Sequence, residues 1–119
     1  MAVSVVLTGT VSQPAAGGCS SDSHNISVAP ETGLSVKLLE TSDPAQAVSI
    51  QVCAGGVDNG NCVIKQQRLA VDQTLTGTTV ARGTHNVKPL ANNCVFGGAP
   101  LAAPATYRLQ IAYTTGISR

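Results

Sequence analysis

Along much of this chain apolar and polar residues alternate one for one, and only an extended strand sends such neighbours to opposite faces. Leu34, Val36 and Leu38 alternate with Ser35 and Lys37. Val48, Ile50 and Val52 are set against Ser49 and Gln51. Tyr107, Leu109, Ile111 and Tyr113 are predicted to point inward, with Arg108 and Gln110 outward. Further strands are predicted over Val3–Val11, Asn25–Val28, Val63–Val71, Thr74–Val80 and Thr84–Val87. Turn chemistry falls between them: Pro14-Ala15-Ala16-Gly17-Gly18, Pro30-Glu31-Thr32-Gly33, Ser42-Asp43-Pro44 and Asp58-Asn59-Gly60-Asn61. No segment carries a helical stripe. The pattern predicts an all-β fold: a two-sheet antiparallel β-sandwich, jelly-roll or immunoglobulin-like, with seven to nine short strands.

Size agrees with one such unit. A chain of 119 residues buries about two-thirds of its unfolded surface, enough for one core and too little for two. Residues 1–119 are therefore read as one domain. Only 11% of residues are charged, and the net charge is +1. That balance offers no electrostatic footprint for nucleic acid. No window approaches the ~18 apolar residues of a membrane-spanning helix.

Four cysteines, Cys19, Cys53, Cys62 and Cys94, include no Cys-x-x-Cys pair, and two histidines are too few to complete zinc shells at these spacings. They read as two disulfides rather than free thiols. Three connectivities exist. Cys53–Cys62 is favoured because the residues between them form a Gly- and Asn-rich loop whose ends must meet, which leaves Cys19–Cys94. Oxidised cysteines imply an extracellular or periplasmic location. The start, Met-Ala-Val-Ser-Val-Val-Leu-Thr-Gly-Thr, has neither a basic n-region nor a cleavage site. The expectation is a chain whose signal peptide has been removed, or a segment of a longer protein.

Three groups of residues resemble the bacterial pre-peptidase C-terminal domains. Gly9-Thr10-Val11, Cys19 to Val28 and Gly33 to Leu38 match the opening strands of that family. Gln73–Val87 resembles its late "L-x-G-x" and "G-T-Y" segment, with His85 where the family has Tyr. Ala103–Tyr113 resembles its closing strand. The resemblance implies a non-catalytic accessory module of exported enzymes, one that assists export, anchoring or substrate attachment. The acidic pairs of calcium-binding members are missing, since Asp22 and Asp43 stand apart.

Little else points to chemistry. Ser23, His85 and Asp72 can be written as a triad, but no nucleophile elbow accompanies them. Asp58-Asn59-Gly60-Asn61 looks like half a calcium loop without its distal Glu and reads as a tight turn. Aromatic residues are 3% of the chain, leaving few platforms for sugars. Phe96 lies in the proline-bearing stretch Asn92–Ala105, read as a surface loop pinned by Cys94. No catalytic residue, metal or cofactor is expected. The expected partner is a protein, either a neighbouring subunit or the parent polypeptide. The alternative function is a structural subunit of a filament or surface assembly, a homo-oligomer joined through edge pairing of the strand Val3–Val11.

Overall fold

The computed structural model describes residues 1–12, 20–21, 23–42, 48–54, 62–80, 82–91 and 104–116. These form nine strands: β1 Ala2–Ser12, β2 Ser20–Ser21, β3 His24–Val28, β4 Gly33–Thr41, β5 Val48–Ala54, β6 Cys62–Leu69, β7 Thr74–Thr78, β8 Gly83–Ala91 and β9 Ala105–Thr114. They build a five-stranded sheet ordered β2-β1-β9-β4-β7 and a four-stranded sheet ordered β3-β8-β5-β6. Every ladder is antiparallel. The fold is an all-β sandwich of two antiparallel sheets.

The alternating residues meet between the sheets. Leu34, Val36, Leu38, Tyr107, Leu109 and Ile111 of the first sheet are buried against Ile26, Val28, Val48, Ile50, Val52 and Val87 of the second. Each such side chain contributes about 1.5–3 kcal/mol by leaving water. Three register shifts interrupt the ladders. Between Leu38 and Glu40 the β4–β9 register slips by one, and the slip turns Thr41 inward, where it is buried. Two further shifts on either side of Val52 disturb the β5–β6 ladder. Ser49, read from alternation as facing water, is fully buried, and its hydroxyl donates to the Leu90 carbonyl at 3.2 Å.

Strand ends also differ from expectation. β6 stops at Leu69, because Asp72 at φ 68° reverses the chain. Val71 and Val80 remain exposed. β8 runs past Val87 through Pro89 to Ala91. Proline is tolerated there because β3 begins opposite Val87, so that among the described residues Pro89 is laddered only to β5.

Two closures hold the sheets together. On one side β7 lies against β6 with only a glycine between them. A Cβ on Gly77 would meet both Cγ1 and the carbonyl oxygen of Val63 at 2.7 Å. Gly77→Ala is therefore expected to cost about 1–3 kcal/mol through a forced backbone shift, read as a lowered midpoint in guanidinium unfolding. At the far end β9 bridges to β3: Val28 pairs with Thr115, and Gly116 N–H donates to the Ser27 carbonyl at 3.0 Å.

The β3–β4 turn is anchored by one buried hydroxyl. Thr79 Oγ1 donates to the Ala29 carbonyl at 2.7 Å and accepts from the Thr32 N–H at 2.9 Å. Thr79→Val keeps the shape but leaves the Thr32 N–H without this acceptor, so a loss of about 1–3 kcal/mol is expected in thermal unfolding.

Candidate functional site

The residues that carry chemistry in the sequence are placed by the fold as follows. Cys53 near the end of β5 and Cys62 at the start of β6 are register partners. Their Cα atoms are 3.9 Å apart and their sulfurs are bonded. Cys19 and Cys94 lie outside the described residues, as do Asp22, Asp43, Asp58–Asn61 and Phe96.

Both histidines serve packing. His24 opens β3, and its Nε2 is hydrogen-bonded to the Tyr107 hydroxyl at 2.7 Å, with the two rings edge to face. Tyr107 is the largest fully buried side chain, and His24 gives its hydroxyl a polar partner. His85 lies opposite Ile26 on the core-facing side of β8 and is only 1% exposed. Its Nδ1 is 3.2 Å from the Gly83 carbonyl oxygen.

The triad written from Ser23, His85 and Asp72 is not assembled. His85 is sealed in the four-stranded sheet. Asp72 sits in the β6–β7 turn, its N–H donating to the Leu38 carbonyl of the other sheet at 2.7 Å. A general base must come within hydrogen-bond reach of the substrate proton it removes, and a ring this buried has no such access. Among the described residues no group of three or more His, Cys, Asp or Glu is arranged to hold a metal ion. No helix among them is long and apolar enough to cross a membrane.

What the surface does offer is an edge. β1 pairs with β9 continuously from Ala2 to Val11. On its other side only Val11 and Ser12 have ladder partners, in β2. Among the described residues none pairs with Val3–Gly9 on that side. Backbone N–H and C=O groups along such an edge are ready to receive another strand. The first charged side chain in the sequence is Asp22, so the usual blunting by Lys or Glu is absent from β1. Val3, Val5 and Leu7 are half-buried, Val5 and Leu7 against the core, while Val6 on the outward face is 47% exposed. The sequence revealed the strand. Its edge position depends on long-range pairing order and has no local signal.

No protein-family model matches the sequence, and no curated protein matches it. Among solved structures the chain is similar to the crystal structure of Aeromonas hydrophila PliG, a periplasmic lysozyme inhibitor of g-type lysozyme. The two share 15% identity at a TM-score of 0.49, over 92% of this chain and 85% of that one.

Proposed function

We propose that this chain is a non-catalytic binding module of the pre-peptidase C-terminal type, working outside the cytoplasm, which attaches or positions a larger polypeptide through its surface. The observation that carries this reading is the use of both histidines as packing groups: one hydrogen-bonded to a buried tyrosine, the other sealed in a sheet. With both histidines committed to packing, we read the sandwich as acting by contact rather than by turnover. The Cys53–Cys62 bond supports an oxidising compartment.

The test is retention. The full chain fused to a fluorescent reporter is incubated with insoluble collagen, with peptidoglycan and with washed bacterial cells. Retention beyond that of the reporter alone supports the module. Hydrolysis of a peptide, ester or glycoside probe that disappears in His85→Gln would overturn it, and so would failure to bind any of the three surfaces.

A second reading, a subunit of an extracellular assembly, is favoured by one specific observation: the uncharged edge of β1, without a ladder partner among the described residues from Val3 to Gly9.

A further inference from the structure

We infer that the chain pairs with a second copy of itself, β1 against β1, antiparallel and centred on Val6. The inference rests on the second reading, assembly through the N-terminal strand, and names the partner and the register.

Symmetry is the first reason. The stretch Val3–Gly9 has no ladder partner on the side away from β9 among the described residues, and beyond it β2 takes Val11 and Ser12. Its midpoint is Val6, the most exposed large hydrophobic side chain within β1. A two-fold axis through that point, perpendicular to the sheet, sets Val6 beside Val6 of the second copy. Val5 then faces Leu7 of the second copy, Ser4 faces Thr8 and Val3 faces Gly9. Each pair joins residues of equal parity, so core-facing side chains meet core-facing ones across the junction. The half-buried Val5 and Leu7 gain cover on the inner face, and the two Val6 side chains cover each other on the outer face.

Charge is the second reason. Ala2–Ser12 contains no ionisable side chain, so no like charges oppose each other in a self-pair, the arrangement that ordinarily protects edges from one another. The third reason is closure. An isologous contact uses the same patch on both copies and ends there. The opposite edge of this sheet, β7, is covered where Gly77 meets Val63. Five strands from each copy make one continuous sheet and no filament. Seven residues span about 24 Å of edge, and at a thickness of about 10 Å the contact buries roughly 500 Å² over the two copies. That is below the standard interface size of roughly 1,200–2,000 Å², which gives a weak, reversible dimer.

Sedimentation equilibrium on the full chain tests this with wild type, Val6→Lys, Val6→Glu and an equal mixture of the two variants. Wild type is expected to move from monomer toward dimer between about 10 μM and 1 mM, as a small interface dictates. Each charged variant alone is expected to associate about tenfold more weakly or less, because its new charges face each other across the axis. The mixture is expected to recover wild-type association, since only the residue at the two-fold meets its own counterpart. Because Val6 points outward, both variants should keep the wild-type far-ultraviolet spectrum and melting temperature.

A wild-type chain that stays monomeric to about 1 mM sinks the dimer and the assembly reading together. Association that ignores Val6→Lys, a mixture that fails to recover, or species larger than a dimer would overturn this pairing and leave assembly through another contact standing.

Discussion

Tyr107→Ala is expected to destabilise the protein by about 3–5 kcal/mol, the range for removing a buried aromatic side chain, whereas Tyr107→Phe should cost only about 1 kcal/mol. Tyr107 lies on the inward face of β9, is 1% exposed and is the largest side chain fully enclosed by the two sheets. Aromatic residues make up only 3% of the chain, and the described core is built mainly of aliphatic side chains. The neighbours that remain are Val, Leu and Ile on strands fixed by their ladders, and these relax poorly into a cavity. The hydroxyl adds a smaller term. Its partner His24 is half-buried at the rim, so water can replace part of the lost bond when only the oxygen is removed. Chemical denaturation of the two variants separates these contributions. A Phe variant as damaged as the Ala variant would show that the His24 bond, rather than packing volume, holds this corner. For a domain stable by roughly 5–15 kcal/mol, the Ala variant stands near the limit of folding at 37 °C.

That corner also shows how far local sequence carries. Tyr107, Leu109 and Ile111 could be assigned to the core because alternation is a property of the strand itself, independent of what the strand meets. The same logic places Leu34, Val36 and Leu38 correctly. It does not carry to Thr41, because a bulge is set by the partner strand: the slip in β4 lies between Leu38 and Glu40 and is defined only against β9. It fails at Ser49 for another reason: the register there is regular, and the face that alternation assigns to water is covered. β2 is two residues long, too short for any period to appear. Pro89 hides the end of β8, since proline ordinarily argues against a strand and is accepted here only where β3 no longer reaches.

The candidate site was legible in a similarly uneven way. The uncharged strand at the start of the chain is plain in the sequence. Its exposed side is not, because strand order in the sheet brings β9, about a hundred residues later, to one flank and only two residues of β2 to the other. His85 shows the opposite limit. A histidine after Gly83-Thr84 reads equally well as a surface base or as a core residue, and only the pairing with Ile26 on the inward face decides between them.

Replacing Cys53 and Cys62 together with alanine should cost about 2.5–3 kcal/mol, the loop-entropy value for a closure of sequence separation 9, and should lower the melting temperature by roughly 10 °C. The double substitution avoids leaving a lone thiol. Cys53 and Cys62 are already opposed by the β5–β6 ladder, so the folded state has little to lose when the bond goes. The change falls mainly on the unfolded chain, which regains the freedom of the intervening loop. Two consequences distinguish this from ordinary core damage. The folded spectrum should be unchanged below the transition, and the denaturant dependence should steepen as the unfolded state exposes more surface. Val52→Ala, removing a fully buried side chain beside Cys53, is the control: it should destabilise by creating a cavity, with the slope unchanged. If the double cysteine variant shows an unchanged slope together with a disturbed native spectrum, the bond is holding the β5–β6 ladder in register rather than restraining the unfolded chain.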